Sequence, residues 1–189
     1  MSENLKLWSK VEKTNPAYTK KANVKGNHIT SISPQYQIMQ VTEQFGVYGK
    51  TWGFKEVTLD YNLVQSVGLV VFKAVFFYPE GEFPIINSIS LFMDNAKTKT
   101  DDNFAKKVET DTLTKAISKL GFNADIFLGK FDDVRYVNEM TKEFTPKDTL
   151  TNERFEKALE TIKAGKYTVE KLKAEYQLTE VQTKALLLL

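Results

Sequence analysis

The stretch from Val67 to Tyr78 restricts this chain more than any other. It is apolar at nearly every position, rich in β-branched and aromatic side chains, and interrupted by a single charge, Lys73. A helix that crosses a bilayer needs about 20 apolar residues, which this run does not reach, so it predicts a strand. A strand apolar on both faces belongs in the middle of a sheet or under cover on both sides. Its neighbours read as half-buried strands. Trp52 to Tyr61 alternates Val57, Leu59 and Tyr61 with Glu56, Thr58 and Asp60, and Phe83 to Phe92 alternates Phe83, Ile85, Ile89 and Leu91 with Ser88 and Ser90. The links are short, and Pro79-Glu80-Gly81-Glu82 is a turn, so the three strands predict an antiparallel meander.

Such a sheet needs a helix to cover it, and residues 101 to 121 supply the clearest one. Asp101 or Asp102 suits the N-cap, Gly121 suits the left-handed closing position, and no proline or glycine intervenes. Phe104, Val108, Leu113, Ala116, Ile117 and Leu120 form the apolar stripe. Beside it Lys107, Asp111, Lys115 and Lys119 share a face at i, i+4. That face reads in two ways. Asp111 can pair with its lysine neighbours on a solvated surface, for about 0.2–0.5 kcal/mol per pair. Alternatively Lys115 and Lys119, with the hydroxyls of Thr114 and Ser118, can meet a phosphate backbone. An earlier helix opens at Ser33-Pro34, carries Ile38, Val41 or Thr42, and Phe45, and closes at Gly46. The connection Val47 to Phe54 then presents or buries Tyr48 and Trp52 around Lys50, with burial expected for Trp52. The fold class expected is α+β, a three-stranded meander packed against a long helix.

The ends of the chain differ in charge. Residues 1–33 hold six lysines against two glutamates, and the segment from Thr14 to His28 reads as a basic loop with one aromatic, Tyr18. Such a loop suits phosphates and a stacked base. After the long helix, residues 122–131 are too apolar for a free loop and are expected to pack back on the domain or on a second subunit. Residues 138–151 read as a polar linker containing Pro146. The tail from 152 onward is helical in three short pieces, with capping-box spacing at Thr179 and Gln182. From Glu139 to the end nine basic residues balance nine acidic ones, so this small all-helical appendage suits packing or partner contact better than DNA reading. The expected organisation is a 1–137 domain, a 138–151 linker and a 152–189 helical region.

Several chemistries are excluded or weakened. There is no cysteine and one histidine, His28, so thiolate and histidine-cluster metal sites are excluded and a His-based triad has little to work with. No Walker-type phosphate loop occurs. No secretory or transmembrane stretch is read, which gives a cytoplasmic expectation. The net charge of +2 matters less than its concentration near the N-terminus.

The residues QYQIMQVTEQFGVYG at the first helix and ETDTLTKAISKLGFNADIFLGKFDD at the second, placed around a strand meander, resemble phage single-strand annealing proteins of the Sak type, in the Rad fifty-two-like superfamily. The resemblance covers roughly residues 8–137. It implies an α+β domain that assembles into rings or curved filaments and holds single-stranded DNA by its phosphates in a basic groove between sheet and long helix. It implies annealing without ATP, no catalytic residues and no cofactor. By the spacing around the shared TD motif, the family's three basic helix contacts fall at Thr114, Lys115 and Ser118, and only Lys115 is charged. A family base in the first helix falls near Tyr36, and the aromatic after the FG turn near Tyr48. The DNA-binding set expected here is therefore Lys20, Lys21, Lys25, Tyr48, Lys50, Lys115 and Lys119. The tail is assigned to partner contact, for example a host or phage single-strand-binding protein. Two other readings compete. One is a magnesium-dependent nuclease using Asp94, Asp101, Asp132 and Asp133; the other is a non-catalytic interaction scaffold.

Overall fold

The computed structural model describes residues 2–24 and 26–187, and the chain divides into two compact units, 1–141 and 142–189. In chain order the first unit holds helix α1 (Lys6–Val11), strands β1 (Thr19–Val24) and β2 (Asn27–Ile32), helix α2 (Pro34–Phe45), strand β3 (Gly53–Asp60), the one-turn helix α3 (Val64–Val67), strands β4 (Leu69–Tyr78) and β5 (Gly81–Ser90), the long helix α4 (Phe104–Lys119) and the short α5 (Ala124–Phe127). Helix α6 (Val134–Phe144) follows, so residues 138–144, read as linker, are helical. Strands β3, β4 and β5 are the expected antiparallel meander, with the apolar strand central. The fold is α+β.

Strand β4 is covered unequally. Val70, Phe72, Ala74 and Phe76 are buried, whereas Leu69, Val71, Val75 and Phe77 on the other face are only partly covered and Lys73 is exposed. The inner face meets α4 and α2 in one core with Val41, Trp52, Ile85, Val108, Ile117 and Phe122. Each large side chain so enclosed contributes about 1.5–3 kcal/mol relative to exposure. Trp52 is fully buried, and its indole Nε1 donates to Gly46 O at 2.8 Å, so its polar atom is satisfied where helix α2 ends.

Helix α4 begins later than expected. Neither Asp101 nor Asp102 caps it; the N-cap is Asn103, and Asp101 is drawn off by Lys107 at 2.6 Å and by the amide of Asn103 at 3.1 Å. Gly121 closes it at φ +94°, as expected. The ring of Trp8, from α1, lies directly over that glycine: a methyl there would stand 2.6 Å from Trp8 Cδ2. Beyond it Phe122, Asn123, Ala124 and Asp125 are buried, and a polar cluster ties the N-terminal segment down. Asp125 accepts from the Thr14 amide (2.8 Å), the Thr14 hydroxyl (2.5 Å) and the Tyr136 hydroxyl (3.0 Å), and Asn123 Nδ2 bridges Thr14 Oγ1 and Gln40 Oε1. The expected basic loop is instead a 3₁₀ turn, Pro16–Tyr18, and the β1–β2 hairpin. Thr19, Ile29, Thr30 and Ile32 carry enough strand propensity to pair, and Gly26 at φ +89° makes the turn. Tyr18 is not free to stack on a base with both faces, because it lies 4.2 Å from Tyr36 in a parallel stack.

The second unit holds α7 (Asn152–Lys163), α8 (Val169–Glu175) and α9 (Glu180–Leu186) around Leu150, Phe155, Leu172 and Leu186. Threonines cap all three: Thr151, Thr168 and Thr179, the last with the complete capping box. The unit is not wholly helical. Tyr176, at the end of α8, turns extended and with Gln177 forms a two-residue strand, β7, parallel to β6 (Asp148–Thr149).

Candidate nucleic-acid interface

The hairpin overlooks the outer face of α4, and between them lies a groove of about 510 Å³. Strand β2 contributes Ile29, Thr30, Ser31 and Ile32; α4 contributes Lys106, Lys107, Thr110, Asp111 and Thr114; Phe127 of α5 closes one end. Ile29 and Phe127 are 43% and 55% exposed, so flat apolar surface stands open beside charge. A smaller cleft continues past Pro34 along the same helix, bounded by Tyr48, Glu109 and Thr114.

The expected site residues divide into three places. Lys20 is exposed on β1, across the ladder from Ser31. Lys21 is engaged, donating to Thr30 Oγ1 at 2.8 Å and to Phe131 O at 3.1 Å, and so fastens the hairpin to the body. Lys25 lies outside the described residues. Tyr48 packs edge-on against Trp52 at 4.8 Å and borders the smaller cleft, while burial, followed by the charge of Glu109, raises its hydroxyl pKa. Lys50 is exposed in the turn after α2. Lys115 and Lys119 lean toward β5: Lys115 Nζ binds Asp111 at 2.8 Å and Asn87 at 3.1 Å, and Lys119 Nζ stands 5.4 Å from the Phe83 ring centre. The groove therefore collects Lys106, Lys107 and Thr110, outside the expected set, together with Thr114, whose hydroxyl was expected to face phosphate, and it is lined by neither Lys115 nor Lys119. Their signal was the i, i+4 row Lys106, Thr110, Thr114, one position behind the row that carries Asp111.

Two of the four lysines on this helix have carboxylate partners. Lys107 pairs with Asp101, and Lys115 with Asp111. The Lys107 hydrogen bond holds the Asp101 carboxyl below its ordinary pKa against the opposing effect of burial. At Asp111 burial is the largest single influence and raises the pKa, yet the bonds from Lys115 and Asn87 together outweigh it and leave the carboxyl lowered. Both folded values lie below the unfolded carboxylate value of about 3.9, so these pairs stabilise the fold above that pH and lose their contribution as pH falls through the lowered values. Side-chain carboxyl titration by NMR is expected to place both midpoints below about 3.9; ordinary midpoints would mean the pairs are open in solution.

The carboxylates considered for metal do not converge. Asp94 is occupied by the Thr98 and Lys99 amides and the Thr98 hydroxyl, and Asp133 by the Arg135 amide. Among the described residues no group of three or more histidines or carboxylates is placed to hold a metal ion. No described helix is long and apolar enough to cross a membrane. No family model matches this chain, and no curated protein sequence matches it.

Proposed function

We propose that the protein binds single-stranded DNA and anneals complementary strands without ATP, in recombination of the phage type. The observation that carries this reading is the groove between strand β2 and α4, lined by Lys106 and Lys107 and by the open apolar surface of Ile29 and Phe127, with Lys20 exposed on the paired strand β1. Ammoniums at the margins neutralise phosphates, and open apolar and aromatic surface tolerates any base. Binding of this kind is insensitive to sequence, and a strand held extended loses less entropy when its complement pairs with it. Self-assembly belongs to the same reading. The half-covered outer face of β4, with Ile86 of β5 68% exposed beside it, offers apolar surface for a second copy.

The test is annealing of two complementary fluorescent oligonucleotides in EDTA without ATP, with the particle mass measured in the same buffer. Acceleration by a large oligomer is the expected result. DNA loss in a parallel reaction with magnesium in place of EDTA, or no acceleration by a monomer, would overturn the proposal in favour of nuclease or scaffold. The lysines are tested by Lys20→Ala combined with Lys106→Ala. Affinity for a labelled single strand is expected to fall about tenfold at low salt, and the log–log salt slope to shrink by about 0.7 per lost phosphate contact. An unchanged slope would remove these two lysines from the site.

A further inference from the structure

Two donors on the β5 flank of α4 converge on one oxygen. Asp111 Oδ2 accepts from Lys115 Nζ at 2.8 Å and from Asn87 Nδ2 at 2.8 Å, and Lys115 Nζ also reaches Asn87 Oδ1 at 3.1 Å. An ammonium and an amide N–H aimed at a shared anionic oxygen form a donor set that suits a phosphate oxygen. Here the oxygen belongs to the chain itself. The same aspartate lines the groove beside Thr110 and Thr114. Those hydroxyls donate back into the helix, Thr110 to Lys106 O at 2.9 Å and Thr114 to Thr110 O at 3.1 Å. With their hydrogens committed they present lone pairs, and a phosphate, which only accepts, gains nothing from them. Lys107 is held by Asp101. On the groove side of α4, among the described residues, Lys106 is left without a carboxylate partner.

We propose that Asp111 is a built-in competitor for nucleic-acid phosphate, occupying the anion position that Lys115 and Asn87 create and keeping the α4 wall weakly charged. The inference rests on the single-strand annealing function proposed above and concerns how tightly the groove holds a strand. A strand that recruits Lys115 must first displace a carboxylate, so part of each contact is spent on that exchange. Loose holding suits a protein that must release its strand into a duplex. The most tightly binding groove would compete with the complement.

The experiment compares the full chain with Asp111→Asn, Asp111→Glu, Lys115→Ala and the Asp111→Asn/Lys115→Ala pair. Anisotropy of a labelled mixed-sequence oligonucleotide is followed across a salt series, together with annealing rate. Asp111→Asn keeps the shape and the acceptor for Lys115 while removing the charge. It is expected to bind about tenfold tighter at low salt, with a slope steeper by about 0.7, and to anneal more slowly at saturating protein. Asp111→Glu is expected to keep wild-type affinity, and adding Lys115→Ala is expected to abolish the gain. Wild-type binding with Asp111→Asn no tighter, or a gain that survives Lys115→Ala, overturns this inference alone. A wild-type chain that holds no single strand overturns the proposed function and this inference with it.

Discussion

Gly121→Ala is expected to destabilise the N-terminal unit by about 2–5 kcal/mol, from two separate costs. Gly121 sits at φ +94°, where a side chain costs about 1–2 kcal/mol. The added methyl would also stand 2.6 Å from Trp8 Cδ2, 2.7 Å from Cε3 and 2.9 Å from Cγ. These are atoms of a rigid ring, so the neighbour cannot yield by turning a flexible tip, and overpacking of this kind costs about 1–3 kcal/mol. Urea denaturation measures the sum. Trp8→Ala separates the parts, because in that background the clash with the indole is gone and the backbone cost of Gly121→Ala remains. The double variant should therefore be more stable than the two single losses added together. A loss below about 1 kcal/mol for Gly121→Ala would mean that Trp8 does not lie on this turn.

Asp125→Ala is expected to cost about 3–5 kcal/mol, for a different reason. Asp125 is fully buried, and its oxygens take the amide and hydroxyl of Thr14, the hydroxyl of Tyr136 and the amide of Ile126. Removing the carboxylate takes the acceptor from the buried amide and hydroxyl of Thr14, whereas the Ile126 amide keeps Asn123 O at 3.1 Å, and each unpaired buried donor costs about 1–3 kcal/mol. Asp125→Asn keeps the size and one carbonyl oxygen but turns an N–H₂ toward donors, so it is expected to fall between wild type and alanine. The same denaturation series checks both. An alanine variant within about 1 kcal/mol of wild type would show that the cluster is not formed in solution.

These two contacts mark where sequence reading stops. The meander, the long helix and the capping box at Thr179 were legible because each is announced locally, by alternation, by three- and four-residue spacing, or by a hydroxyl with glutamine three residues on. Gly121 was legible as a helix end but not as the seat of a tryptophan, since nothing near either residue names the other. Asp125 passed as one polar residue in an apolar segment. The hairpin was missed because Thr19 to Ile32 mixes lysines and asparagines with its strand formers, and polar composition suggested a loop. At the candidate site the structure groups the side chains otherwise than their spacing suggested. Lys115 and Lys119 stood out as charges on the clearest helix, but an aspartate four residues before Lys115 claims it, and rotation about the helix puts Lys106 and Thr110 in the groove instead. Spacing reports which side chains share a face, whereas the neighbour across that face is set by tertiary packing.

The link from Thr14 to Asp125 also bears on the order in which the molecule assembles. It joins residues 111 positions apart, whereas β4 and β5 pair across the turn between Tyr78 and Gly81. Closing a short loop loses little chain entropy, so the meander can form while the N-terminal segment is still searching. A clasp that closes after the meander is expected to lie outside the rate-limiting barrier. Weakening it should accelerate unfolding while leaving the refolding rate almost untouched, so the lifetime of the native state would be set by a contact between segments far apart in sequence.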